Sequence, residues 1–197
     1  MKNAFFITAL SLVGSLAHAQ KSHSYSAHTE FGVKAGLNVS NVSVESSTNP
    51  DSKASVNIGV LAHIHLDRQF AFQPELLFSG QGYKYTVSGT TINVPLNYLT
   101  LPLLGQFMFG DGFRVETGPQ PGVLVSAHAK ANGNSTSIKD SYKTFDLSWA
   151  FGAGYLTKSG FGIDVRYNLG LSNINDASSA KIHNRVFAVG AFYQFHH

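Results

Sequence analysis

The sequence predicts an all-β chain: an eight-stranded antiparallel up-and-down barrel that crosses a membrane with its strands. Three observations carry this. First, residues 145–155 and 161–171 are two eleven-residue runs of strict alternation, with Phe145, Leu147, Trp149 and Phe151 set against Asp146, Ser148, Ala150 and Gly152 in the first. A period of two marks a strand with one apolar and one polar face, and each run has about the 9–11 residues that a tilted strand needs to span a bilayer. Second, segments of this kind recur along the chain, eight in all. Third, short and long connections between them alternate, as in barrels with short periplasmic turns and longer external loops.

Taken in order, residues 1–19 read as a secretory signal. Lys2 precedes an apolar stretch, 4–16, too short to span as a helix, and Ala17-His18-Ala19 is a small-residue cleavage site. Residues 20–30 form a polar periplasmic segment, and 31–197 the barrel domain. Strands are expected at 31–39, 55–66, 70–86, 92–109, 113–129, 145–155, 161–171 and 184–195. The connections 67–69, 110–112 and 156–160 are short, whereas 40–54, 87–91, 130–142 and 172–183 are mostly long and polar. Pro74 lies inside the third strand, where a missing N–H calls for a bulge or bend. The polar face of the fourth strand is the weakest, since Leu104 and Met108 fall on it.

Composition decides which face meets lipid. Charged residues make up 13% of the 197, against roughly 25% in soluble domains. The apolar stripes are crowded with Phe, Leu, Trp and Tyr, too bulky for an eight-stranded interior that has room for packed side chains and little else. The other stripes mix small residues with one or two charges each. The bulky stripe, Trp149 and Phe151 included, is therefore expected to face lipid and the polar stripe the lumen. A net charge of +3 with no Lys/Arg cluster gives no reason to infer nucleic-acid binding. The chain has no cysteine, which fits export without a disulfide framework and leaves no residue for an N-terminal lipid anchor.

The candidate site is a lumen network of Glu75, Arg114, Glu116, Asp146, Asp164 and Arg166. Because unpaired buried charge is costly, these acids and bases are expected mainly to neutralise one another, with a selectivity role as the sharper reading. His63 and His65, two apart on one strand, could grip a metal, but no third ligand is identifiable; hydrogen bonding is the expected role, and no cofactor is implied. Ser126 and His128 share the predicted inner face, yet the acid Glu116 lies about 33 Å away at 3.3 Å per residue. A catalytic triad fails on that distance, and no enzyme activity is expected.

Several segments resemble a known family. Gln73-Pro74-Glu75-Leu76-Leu77-Phe78, Tyr98-Leu99-Thr100-Leu101-Pro102-Leu103-Leu104, Glu116-Thr117-Gly118-Pro119, Gly152-Ala153-Gly154, Arg166-Tyr167-Asn168-Leu169-Gly170-Leu171 and the late Phe195 are together similar to the outer-membrane β-barrel domain family, the PorT-like or "porin family" barrels of Bacteroidota-type bacteria. Thr100 stands where members often carry an acid, and His196-His197 follow the usual terminal aromatic. The resemblance implies an outer-membrane location, with outer-membrane lipid, lipopolysaccharide and the barrel assembly machinery as partners and a monomer as the expected state. The role is expected to be envelope-structural, loop-mediated binding or passage of small solutes. The PorT-like branch implies secretion or export partners instead.

Overall fold

A computed structural model describes residues 28–45, 50–177 and 179–195. The expected signal at 1–19, most of the segment 20–30 and His196-His197 lie outside the described residues. The described residues form ten strands: β1 (Thr29–Val44), β2 (Asp51–His65), β3 (Phe70–Val87), β4 (Thr90–Thr100), β5 (Leu103–Phe109), β6 (Phe113–Ala131), β7 (Asn134–Ser137), β8 (Phe145–Leu156), β9 (Phe161–Gly170) and β10 (Ile182–Phe195). All pairings are antiparallel, and β10 closes onto β1 from Phe31↔Phe195 to Val44↔Ile182. The ring has eight members, because β4 and β5 pair β3 in one continuous register around Leu101-Pro102 and β7 pairs only β6.

The bulge or bend expected at Pro74 brings no register shift: β3 keeps one register across it, with β2 on one side and with β4 and β5 on the other. Pro74 pairs Leu103, and the Glu75 N–H donates to the Pro102 carbonyl at 2.9 Å. On the far side of Pro102, no residues of β6 pair with β4 or β5 between Thr100↔Gly122 and Gly105↔Thr117, although the Leu101 N–H donates to the Pro121 carbonyl at 2.8 Å. Pro119 and Pro121 fall inside that gap while β6 keeps its pairing with β8. Residues without an N–H thus collect where no donor is called for.

Strands run further than alternation suggests at the long-loop end. β1 and β2 extend to Val44 and back from Asp51, so the expected loop 40–54 shrinks. The 130–142 loop becomes a β6–β7 hairpin and a single 3-10 turn, Lys139–Ser141. Hydrophobic alternation fades where both faces of a strand leave the membrane, although backbone pairing continues. Thr29 and Glu30, expected in the loose segment 20–30, already belong to β1.

The outer surface carries the apolar stripe: Leu37 is 63% exposed, Ile58 58%, Phe151 51% and Ile163 55%. Such a belt around a closed sheet is far beyond the few hundred Å² a soluble monomer exposes. At the short-turn end it finishes in a row of aromatics in mutual contact, Phe70, Phe107, Phe109, Phe113 and Tyr155, with ring centroids 4.9–6.1 Å apart. This is the girdle expected at a membrane interface. Among the described residues no helix is long and apolar enough to cross a membrane.

Two bulges shift the pattern. β6 gains a residue at Val125, between Asn97↔Ser126 and Tyr98↔Leu124. Ala127, expected on the lipid face, consequently faces inward and is fully buried, while Ser126 leaves the inner face and accepts from Asn97 Nδ2 at 2.9 Å. A one-residue slip exchanges the faces of a strand. In β2, the ladder to β3 breaks between Ser52↔Tyr83 and Asn57↔Ser79. There, Asn38 Nδ2 and Ser40 Oγ of β1 donate to the carbonyls of Gly80 and Gly82 at 2.8 and 2.9 Å, satisfying acceptors that the sheet has left open.

Candidate functional site

The lumen holds two layers. The first is ionic and lies in the middle of the wall. Alternation on β9 turns Asp164 and Arg166 inward, between Ile163, Val165 and Tyr167, which face lipid. Arg166 donates to both oxygens of Glu75 at 2.8 and 2.9 Å, and through Nε to Glu116 at 2.9 Å; its Nη2 also lies 3.3 Å from Asp164. Lys34 of β1 completes the group, hydrogen-bonded to Asp164 and 3.6 Å from Glu75. Gln73 donates to Glu75 and Gln106 to Glu116, each at 2.8 Å. Arg114 reaches Gln106 at 3.5 Å and places its guanidinium 5.6 Å from the centre of the Phe192 ring. Every one of these groups is at most 6% exposed.

Three cations, Lys34, Arg114 and Arg166, face three carboxylates, Glu75, Glu116 and Asp164. The bidentate Arg166–Glu75 pair is the strong form of a charge-assisted contact. Buried pairs gain little net stability, but removing one partner leaves a charge stranded. The network ties β1, β3, β6 and β9 together across the lumen.

Five of the six residues expected in the lumen network meet here. Asp146 does not: it accepts from Ser172 Oγ at 2.5 Å and Asn184 Nδ2 at 2.8 Å, one layer nearer the long loops. Lys34, Gln73 and Gln106 are members that the sequence placed on inner faces without linking them to the network.

The second layer is apolar and closes the long-loop end. Val42, Val94, Leu96, Tyr98, Leu124 and Ala127 project inward from the strands, and Tyr142 and Ile174 pack onto them from the loops. Tyr142 pairs Asn175 as an isolated bridge, and the Lys143 N–H donates to the Ile174 carbonyl at 2.8 Å. The Tyr83 and Tyr142 hydroxyls meet at 2.7 Å. Burial, then the hydrogen bond to Tyr83, pushes the Tyr142 hydroxyl far above the usual tyrosine value, and burial raises that of Tyr83. The parity of β4 held part of this signal, since Val94, Leu96 and Tyr98 alternate with the lipid-facing Leu99. Tyr142, alone among polar residues, gave none.

Between the layers a cavity of about 20 Å³ remains, bounded by Lys34, Asn57, Thr100 and Asn168, room for one water. His63 and His65 sit at the short-turn end with rings 4.5 Å apart, and His63 Nδ1 lies 3.1 Å from Gln73 Oε1. Among the described residues no group of three or more histidines or acids is arranged to hold a metal.

A closed eight-stranded sheet with an apolar exterior and a braced polar interior defines an integral membrane barrel of the outer-membrane kind. The sequence matches the family model described as outer membrane protein beta-barrel domain over residues 18–176, and the chain belongs to that family. The match is to the barrel family as a whole and does not single out a PorT-like branch. A comparison with curated protein sequences gives no match. Among solved structures, the chain is similar to Neisserial surface protein A, at 15% identity and a TM-score of 0.58, covering 85% of this chain and 99% of that one. It is also similar to Ail, the attachment invasion locus protein of Yersinia pestis, crystallised with the heparin analogue sucrose octasulfate, at 15% identity and a TM-score of 0.55 with the same coverages. At these identities the likeness concerns the fold.

Proposed function

We propose that the protein, exported by the signal at residues 1–19, is a non-conducting and non-enzymatic outer-membrane barrel that supports the envelope and binds partners through its external hairpins. The observation that supports this reading is the double closure of the lumen. A solute would have to displace Tyr142 and Ile174 and then open the Arg166 cross-brace, with room for a single water between them. Passage of small solutes, the third role the sequence allowed, is the one this geometry disfavours. Catalysis gains no support, because Ser126 has left the inner face on which a Ser126–His128 pairing was considered.

Planar-bilayer recording of the refolded protein tests the proposal. A silent membrane is the expected result, and steady single-channel currents from the wild-type barrel would overturn it. Binding of whole cells to a partner, lost on exchanging the β6–β7 hairpin for a short turn, is the positive arm.

A further inference from the structure

The β6–β7 hairpin turns on Asn132-Gly133. Ala131 and Asn134 close it as a pair, and φ is positive at both residues between them, +48° and +79°. This is the two-residue type I′ turn, for which Asn-Gly is the favoured sequence. Asn132 is the one asparagine of the chain that precedes a glycine. Both turn residues are exposed, and the Asn132 carboxamide makes no hydrogen bond among the described residues. A Cβ added to Gly133 would meet nothing within 4 Å, so the nitrogen that follows Asn132 is unshielded.

Little holds the hairpin shut. β7 meets β6 through four residue pairs, His128↔Ser137 to Ala131↔Asn134. All of its residues are exposed, and the apolar anchorage begins only beyond it, at Ile138. Opening β7 breaks backbone pairing without uncovering apolar surface, and a short two-stranded ribbon of this kind is marginal in water. Once it opens, Asn132 is free to leave the positive-φ conformation, and its carboxamide carbon comes within reach of the Gly133 nitrogen. Asp111-Gly112 at the opposite end of the barrel makes the contrast. There the Leu156 N–H donates to the Gly112 carbonyl at 2.9 Å, and a Cβ on Gly112 would stand 2.1 Å from the Leu156 carbonyl oxygen, so that turn is clamped against β8.

We propose that Asn132 is a site of spontaneous covalent ageing, deamidation to isoaspartate, timed by the opening of β7. The Gly133 nitrogen gives its proton to hydroxide and attacks the Asn132 side-chain carbonyl carbon. The C–N bond of the carboxamide breaks, ammonia leaves with a proton from water, and a succinimide ring remains. Water then opens the ring at either carbonyl, so that asparagine and one water become ammonia and either aspartate or isoaspartate, with no change of oxidation state. Isoaspartate carries the main chain through the former side chain and lengthens it by a methylene. In a two-residue turn that extra atom takes Ala131 and Asn134 out of register, and β7 stays open. The chemistry is independent of whether the hairpin binds a partner; where it does, aged protein loses that partner.

The test incubates the refolded wild-type barrel in mildly alkaline buffer beside a free peptide of residues 129–137. Both are digested and mapped by mass spectrometry, with enzymatic methylation to mark isoaspartate. Asn132 should convert in the barrel more slowly than in the peptide, with isoaspartate the major product and a rate that rises with pH, while Asp111 and the other asparagines stay intact. A lock on the hairpin reads the opening step. The Ile138 N–H donates to the Ala127 carbonyl at 3.0 Å; bonded pairs alternate along an antiparallel ladder, so Lys130↔Ser135 is a non-bonded pair with its side chains close. Lys130→Cys/Ser135→Cys therefore places a disulfide across the hairpin of a chain with no other cysteine. The oxidised form should deamidate at least tenfold more slowly than the same variant reduced. Should that variant not fold, the wild-type map carries the test alone. An intact Asn132 after the peptide has fully converted, conversion in the barrel as fast as in the peptide, or equal rates in the oxidised and reduced variant would overturn the proposal.

Discussion

Arg166 and Glu75 meet through two hydrogen bonds, 2.8 and 2.9 Å long, although 91 residues separate them in the chain. The contact joins β9 to β3 across the lumen. Removing Arg166 alone strands Glu75, Glu116 and Asp164 with Lys34 and Arg114. Arg166→Gln should lower stability by about 3–5 kcal/mol, the cost of breaking a buried pair from one side. Glu75→Gln/Arg166→Gln keeps the charges balanced and should recover most of that loss. Urea unfolding of the barrel in detergent, followed by gel migration, measures both, and equal destabilisation of the two variants would count against the cross-brace.

The two mouth tyrosines give a pH dependence. Both hydroxyls are raised above the ordinary value near 10, so the folded barrel holds their protons more tightly than the unfolded chain does. Their stabilising effect is complete below about pH 10 and is lost progressively as pH rises above it. Ultraviolet titration at 295 nm should show the exposed tyrosines ionising first. In Tyr83→Phe/Tyr142→Phe the late-ionising fraction should shrink by two residues, the fully buried Tyr98 remaining; an unchanged late fraction would refute the assignment.

Gly82 and Gly89 separate crowding from mere torsion. Both have positive φ, +121° and +79°, but a Cβ on Gly82 would stand 1.9 Å from the Val94 carbonyl oxygen, whereas Gly89 has nothing within 4 Å. Gly89→Ala should cost about 1 kcal/mol. Gly82→Ala must also push β3 away from β4 beside the ladder break, and should sharply reduce the yield of heat-modifiable barrel.

Trp149 is the single tryptophan. It is 38% exposed on the outer wall, with Nε1 donating to Thr117 Oγ1 at 2.8 Å. In liposomes its emission should be quenched by lipids brominated along the acyl chain and left unchanged by aqueous iodide. The opposite pattern would place the apolar stripe inside and turn the barrel inside out.

Much of this architecture was legible before the fold was seen, because a closed sheet in a membrane writes itself as parity. Every second residue from Phe145 to Tyr155 or from Phe161 to Leu169 had to be apolar, and the residues between them had to be small, polar or paired. Parity also put Glu75, Glu116 and Arg166 on the inner face. It could not follow a bulge: the extra residue at Val125 changes no composition, yet it exchanges Ser126 for Ala127 inside the barrel. Nor could it show that Lys34 and Asp164 touch, or that Tyr142 folds back over the mouth, since both depend on strands far apart in sequence. Strand ends beyond the lipid were hidden too, because there the pairing persists while the alternation stops.

The seam between β1 and β10 has a consequence for how the protein is made. Its fourteen residue pairs join the first strand to the last, so the ring cannot shut until nearly the whole polypeptide has been delivered. Until β9 arrives, Glu75 and Glu116 lack the arginine that offsets them. Closure and charge balance are therefore late and nearly simultaneous events in folding, reached only when β9 and β10 take their places.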